Sequence, residues 1–414
     1  MVVGTIIGAS IFVQPSEITR QLPSVTTIVL AWIGAGVLTM CGALVCAELA
    51  SAFPRTGGVY VFLKEAYSPA AGFLWGWAML WSMHSGIIAA IATVFARYVA
   101  VFVPMGDLGL RATAVGLVLT LSAVNYTGLR AGGFVQTAFT GAKLLAIAAI
   151  VLVGALWSGP SPAVAVATTE VTARGFLLAT AAGLFAFGGW HMVTYTAGET
   201  RNAASTIPRA LVVGTLIVTA SYAGLNAVYL RVLPLDVVRA STHVAADAAD
   251  VLLGGSGSKL MAALVMISTF GAVNGIILVG PRVYYSMARD GLIFRWLGDV
   301  HPTFLTPHRA LIAQAVVAST LAATNTYGAL FGRVIYTEWI FFAAMTYGLV
   351  RLRRRPDYRP SYRVWAYPVV PIAFIAASLA IVVTQIASNP FDSAIGLGLV
   401  LLGLPVYWLW SPRT

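Results

Sequence analysis

Apolar runs of about twenty residues recur along the chain with short polar segments between them, and about twelve can be counted. They fall at roughly 1–20, 25–53, 69–103, 111–128, 134–157, 172–196, 210–231, 258–289, 308–324, 328–350, 366–386 and 391–409. Stretches such as 28–45 and 142–157 stay apolar throughout, apart from Lys143, and show no alternation of period two. Outer-membrane strands would alternate over shorter segments, so these runs read as helices. The expected fold class is all-α, a polytopic membrane protein with about 12 transmembrane helices. The longest polar stretch, 233–258, holds Asp236, Asp247, Asp250 and a Gly-Gly-Ser-Gly-Ser segment. It has room for a short surface helix and not for a separate domain.

Composition agrees with that pattern: 59% of the residues are hydrophobic, 9% are charged, and mean hydropathy is +0.86. The bilayer is the solvent for most of this surface. A formal charge of +11 raises nucleic acid as a partner, but the basic residues sit where topology places them. With residue 1 inside, roughly fifteen of the 25 Lys and Arg fall on cytoplasmic segments, most densely at Arg351, Arg353, Arg354, Arg355, Arg359 and Arg363. Roughly seven lie outside, among them Arg20, Arg111, Arg174, Arg231 and Arg239. The expected localisation is the cell (inner) membrane with both termini cytoplasmic and no nucleic-acid partner. Cys41 and Cys46 lie within the second run and read as packing residues. No basic segment or cleavage site precedes the first run, so no signal peptide is expected.

Two runs differ from the rest. Small residues cluster in the middle of the first, at Gly4, Gly8, Ala9 and Ser10, and of the sixth, at Gly183, Gly188 and Gly189. Discontinuous helices five spans apart, at matching positions of two inverted halves, point to a transporter binding site at mid-membrane. Close helix packing is the other reading, since Gly4 and Gly8 have GxxxG spacing. A zwitterion such as a free amino acid needs both its charges hydrogen-bonded in a low-dielectric space. The N–H groups of Ala9, Ser10 and Ile11, at the start of a half-helix, suit a carboxylate. The carbonyls of Ile6 and Ile7, with those of Phe185, Ala186 or Phe187, suit an ammonium.

Several motifs carry a family resemblance. Gly4-Thr5-Ile6-Ile7-Gly8-Ala9-Ser10-Ile11-Phe12 is similar to a first-helix signature GTIIGSGIF, with Ala9 and Ser10 in place of Ser-Gly. Ala47-Glu48-Leu49 and Pro54-Arg55-Thr56-Gly57-Gly58-Val59-Tyr60 follow, then Phe139-Thr140-Gly141-Ala142-Lys143-Leu144-Leu145. Phe185-Ala186-Phe187-Gly188-Gly189-Trp190 precedes Gly198-Glu199-Thr200-Arg201-Asn202 and Ile207-Pro208-Arg209-Ala210. Gly271-Ala272-Val273-Asn274-Gly275, Arg282 and Ala288-Arg289-Asp290-Gly291 complete the set. In this order the segments resemble the APC superfamily of amino-acid permeases, in particular the L-type amino-acid transporter branch and its bacterial relatives.

That resemblance implies a LeuT-like fold of five plus five inverted helices with broken helices 1 and 6. Residues 1–157 would hold helices 1–5, 158–350 helices 6–10 and 351–414 helices 11–12. It implies sodium-independent transport of amino acids, commonly exchange. By position it places substrate contacts at Ile6, Ile7, Gly8, Ala9, Ser10, Ile11, Phe185, Phe187, Gly188 and His191, and coupling or gating at Lys143, Phe185 (as outer gate) and Asn274. Ser10 adds bulk where the family has glycine, which favours a smaller pocket. Relatives carry a cytoplasmic segment before the first helix, so the start is expected to be short by comparison.

Lys143 needs a partner, because an ammonium in the membrane is costly unless paired, hydrogen-bonded or neutral. Three readings are open: a bridge between the first and eighth helices coupled to gating, a proton carrier, or a side chain snorkelling to the interface. His191 is read either as a substrate contact or as a packed core residue. His84 suggests a haem ligand, but the paired axial ligands such a protein needs are missing. Glu48 and Glu199 read as scaffold or inner-gate partners of Arg55, Arg201 or Arg289, while Glu338 has no nameable partner, since Arg333 sits five residues earlier. No grouping has the spacing of an enzyme site or metal centre, so neither enzyme nor cofactor is expected. A channel would want a filter or charge ring. With no acidic residue near either break in the sequence, neutral substrates are favoured over cationic amino acids or polyamines. Segment 104–110 holds no cysteine for a disulfide-linked heavy chain.

Overall fold

The computed structural model describes residues 1–159 and 170–410, which form helices and connecting loops with no β-strand among them. Among the described residues, nine helices are long and apolar enough to cross a membrane. They are Val25–Ala52, Pro69–Val99, Asp107–Tyr126, Gly132–Ala155, Ala173–Glu199, Ala203–Val232, Gly257–Arg289, Val369–Ser388 and Pro390–Trp410. Three more complete the expected twelve: a first span split into Val2–Ile6 and Ser10–Gln21, then His308–Thr324 and Tyr327–Leu352. We number these spans one to twelve in chain order.

The starts of several spans are written in local sequence. Ser24, Ser68, Thr172 and Thr326 each cap a helix by accepting from the backbone N–H three residues on, a bond that satisfies one of the orphan donors of the first turn. Pro69 and Pro390 occupy first-turn positions where a missing N–H costs nothing. The polar stretch at 233–258 carries two short helices, Leu235–Ala240 and Val244–Leu253, as its length allowed. Another, Val59–Ala66, follows span two.

The packing of the spans has the pattern of a two-fold relation between spans one to five and six to ten. Span one packs on six, two on seven, three on eight and four on nine, so four spans each touch their own counterpart. Other contacts come in matching pairs. Three on ten is mirrored by eight on five, two on six by seven on one, and three on nine by eight on four. This is the LeuT-like arrangement that the motif order implied, and spans eleven and twelve lie outside it, against ten and their neighbours. Apolar side chains such as Phe134, Leu145, Leu152, Leu216 and Val383 face outward, as lipid contact requires.

One buried ion pair ties the two halves at the basic face. Glu48, near the end of span two, is fully buried, and Arg353, at the end of span ten, meets both its oxygens in a fork, with Nε to Oε1 at 2.8 Å. The N–H of Val364 donates to the same carboxylate at 2.6 Å. Burial pushes the phenol of nearby Tyr358 above its ordinary range, which keeps it a neutral donor 3.4 Å from Glu48. The sequence reading paired Glu48 with Arg55, but Arg55 bonds Glu65 instead. Removing one partner of a buried pair strands the other charge at a cost of about 3–5 kcal/mol. Arg353→Ala is therefore expected to lower the thermal unfolding midpoint in detergent by several degrees more than Arg55→Ala, whose pair is exposed; equal midpoints would show that the Glu48 pair anchors nothing.

Candidate substrate site at the broken helices

Span one stops being helical after Ile6. Ile7 is extended, with φ −72° and ψ 91°, and the helix restarts at Ser10 with Ala9 as its N-cap. The first amides of the restarted helix have no intrahelical carbonyl to meet, and the positive end of its dipole points into the protein. Span six breaks at the same depth. Its α-helix ends at Ala186, turns through Phe187, Gly188 and Gly189, and continues as a 3-10 helix over Trp190–Glu199. Gly189 has φ +97°, and a Cβ there would stand 3.0 Å from the Thr5 carbonyl. Both the dihedral and the close approach demand glycine.

The breaks are joined to each other. The Thr5 hydroxyl lies 3.3 Å from the Gly189 carbonyl, and the Tyr222 hydroxyl, from span seven, lies 3.1 Å from the Ile6 carbonyl and 2.8 Å from that of Ala186. From the other side, the Lys143 ammonium reaches in from span five. It donates to the carbonyls of Ile7 at 2.6 Å, Gly4 at 3.2 Å and Ser268 at 3.2 Å, and its side chain is buried. Three carbonyls match the three protons of an ammonium. Ser268, on span eight, adds its hydroxyl to the Gly8 carbonyl at 3.2 Å. The lysine thus bridges spans five, one and eight inside the protein and does not snorkel to an interface.

A small cavity of about 20 Å³ lies between the breaks, room for roughly one water. Its polar walls are Thr5, Ser10 and the break glycines Gly8 and Gly188, while Ile6, Ile87, Ile91, Phe185, Met192 and Ile276 supply apolar ones. Glu338, from span ten, completes it. On the side away from the basic face, Phe185 meets Tyr327 edge-on at 6.5 Å, and the Gln14 amide donates to the Tyr327 hydroxyl at 3.1 Å. On the basic face a larger cavity of about 890 Å³ opens between Thr56, Thr127, Glu199, Arg282, Tyr285 and Phe304. It is the broader space, but the break residues of spans one and six do not line it, so the small cavity is the candidate substrate site and the larger one a candidate vestibule.

A family model described as amino acid permease matches residues 1–406. The chain belongs to the amino acid permease family. It is 33% identical over its full length to the serine/threonine exchanger SteT of Bacillus subtilis (strain 168), covering 95% of that protein. It is 32% identical over 99% of its length to the human large neutral amino acids transporter small subunit 2, covering 78% of it. With the human b(0,+)-type amino acid transporter 1 the identity is 29% over 99% of the chain and 86% of the relative.

Within this permease, the residues singled out in sequence do not all face one space. Ile6, Gly8, Ser10, Phe185 and Gly188 line the cavity. Ile7 spends its carbonyl on Lys143, and Ala9 and Ile11 are fully buried beside the break. The Phe187 ring points away from the cavity wall, against Trp32 at 6.5 Å and Tyr222 at 4.9 Å. His191 is enclosed by Trp75, Trp190, Tyr195 and Phe342, with Nε2 3.7 Å from Glu338 Oε1. Asn274 accepts from Asn125 at 2.8 Å and donates to the Gly132 carbonyl at 3.0 Å, joining spans four, five and eight. Glu199 pairs through both oxygens at 2.8 Å with Arg282, and not with Arg201 or Arg289.

Glu338 overturns one expectation outright, since an acidic residue does stand by the breaks. Span ten is unbroken there and carries no motif; packing against spans three and six brings its carboxyl to the wall. A charge in mid-span was the available signal. Replacing Lys143 by methionine removes the donor that joins the carbonyls of Gly4 and Ile7 to that of Ser268, at about 1–3 kcal/mol for each buried group left unmatched. Lys143→Met is expected to lower the unfolding midpoint clearly, whereas a midpoint equal to wild type would remove the lysine from its bridging role.

Proposed function

We propose that this permease exchanges small neutral L-amino acids across the cell (inner) membrane by alternating access, without sodium. The observation that carries the reading is the convergence of two broken helices on one small cavity. Free amides at the start of the second half of span one suit the substrate carboxylate. The carbonyl of Ile6 accepts from Tyr222 and retains a second lone pair for the substrate ammonium, while that of Ile7 already accepts from Lys143 and, at 3.5 Å, from the Ser268 hydroxyl. Chemistry on the substrate is not needed; the site binds and releases it unchanged.

Sodium independence is supported by the place of Lys143. Its ammonium fills a nest of three main-chain carbonyls, the type of oxygen cluster a hard cation would need. A fixed charge there holds span one to span eight in place of an exchangeable ion, which makes Lys143, with Asn274, a coupling and gating element. The vestibule opens on the basic face, and Phe185 with Tyr327 and Gln14 forms the opposite gate. The basic clusters make that face cytoplasmic, with both termini on it. Residues 1–157 and 158–350 are then the two inverted repeats and 351–414 the added pair of helices. Segment 104–110 has no cysteine, which favours work without a disulfide-linked heavy chain.

The serine/threonine exchanger and the large neutral amino acids transporter among its relatives support a neutral substrate. The tight cavity, with Ser10 on its wall, supports a small one. One observation favours a second reading: Glu338 offers a carboxylate for a cationic amino acid, and a b(0,+)-type relative accompanies it. Purified protein in sodium-free liposomes separates the two. Labelled alanine or serine is expected to enter vesicles preloaded with unlabelled alanine and not empty ones. Uptake into empty vesicles that follows an imposed proton gradient would replace exchange by proton coupling, and transport confined to arginine or putrescine would sink the neutral reading.

A further inference from the structure

Glu338 faces the break cavity, and the binding of the substrate's carboxylate and ammonium makes no use of it. Among the described residues its titratable neighbour within 4 Å is His191, at 3.7 Å, which is beyond hydrogen-bond distance. His191 in turn makes no hydrogen bond through either ring nitrogen and is walled in by aromatic rings. Apart from Thr5, Ser10 and the glycines of the breaks, the cavity is lined by hydrocarbon, ring or thioether, from Ile6, Ile87, Ile91, Ile276, Phe185 and Met192. A carboxyl kept in such a place, without a donor of its own, is complete only when something in the cavity bonds to it.

We propose that Glu338 is a specificity-determining residue that takes the hydroxyl of the substrate's side chain, so that the site selects amino acids such as serine and threonine over apolar ones of the same size. The inference rests on the reading of this cavity as the amino-acid site. The breaks in spans one and six offer main-chain groups, which bind what every amino acid has in common. Glu338 comes from span ten, and it is the charged side chain on a cavity that is otherwise apolar away from those breaks. A hydroxyl both donates and accepts, so it bonds a carboxyl in either protonation state. Valine has the shape of threonine but leaves the carboxyl unmatched, and a site built to bond a substrate hydroxyl rejects the analogue that lacks it. A lysine or arginine side chain would also match the charge, so its competition against threonine is the opposing outcome of the test.

The test is a ratio: the concentrations of valine and threonine that halve the exchange of labelled serine in loaded, sodium-free liposomes. Wild type is expected to favour threonine by about tenfold or more. Glu338→Leu is expected to bring the ratio close to one, and Glu338→Gln, which keeps the shape and one acceptor oxygen, to leave it in between. The ratio does not depend on how much protein is folded. The same ratio read from the thermal stabilisation of purified protein by threonine and by valine covers a variant that folds but does not transport. A wild-type ratio near one, a Glu338→Leu ratio equal to wild type, or stronger competition by lysine or arginine than by threonine would overturn the proposal. Absence of any exchange by wild type would instead overturn the function on which it rests.

Discussion

A helix that breaks inside a bilayer exposes N–H and C=O groups where no water can serve them, and the rest of this fold is arranged around that constraint. The Lys143 ammonium answers most of it on one side, with three donors for three carbonyls from spans one and eight. Tyr222 answers it on the other, between the carbonyls of Ile6 and Ala186. The break is then polar enough to receive a zwitterion and satisfied enough to persist without one. Ser268 and Thr5 add hydroxyls to the remaining carbonyls of Gly8 and Gly189.

This arrangement also sets what moves. The two breaks are stitched to each other and to spans five, seven and eight by bonds to main-chain atoms, so the first span cannot be displaced without parting or remaking those bonds. Long-range anchors flank this centre. Glu48 with Arg353 ties span two to span ten, and Glu199 with Arg282 ties span six to span eight beside the vestibule. The first is buried and forked, suited to a fixed scaffold. The second lies on the wall of an open cavity with Glu199 exposed to solvent, suited to a contact that forms and parts as that side opens and closes.

Much of this was legible in the chain because the bilayer imposes length and apolarity on each span. Span positions followed from the apolar runs, although Asp107–Tyr126, Leu129–Ala155 and Ala203–Val232 start several residues earlier than hydropathy suggested, since polar first turns are helical at the interface. The breaks were visible as clustered small residues, and Lys143 as a charge in an apolar run. What escaped was side-chain direction and distant pairing. Nothing local says that Phe187 turns toward Trp32 and Tyr222, or that Glu48 waits for an arginine some three hundred positions on. Glu338 was noticed as a charge but not as a wall of the site, because its place depends on how span ten packs against spans three and six. The break in span six was legible at its glycines, but nothing in the sequence signals that the chain continues beyond Gly189 as a 3-10 helix over Trp190–Glu199.

The central claim is that the main-chain groups of two broken helices hold the amino-acid end of the substrate and that span ten reads its side chain. A cryo-electron-microscopy structure with L-threonine bound tests it directly. The account expects the carboxylate at the amides of Ala9, Ser10 and Ile11, the ammonium toward the carbonyls of Ile6 and Phe185, and the hydroxyl toward Glu338. Density for threonine in the vestibule, with its carboxylate on Arg282 and the break cavity empty, would contradict it.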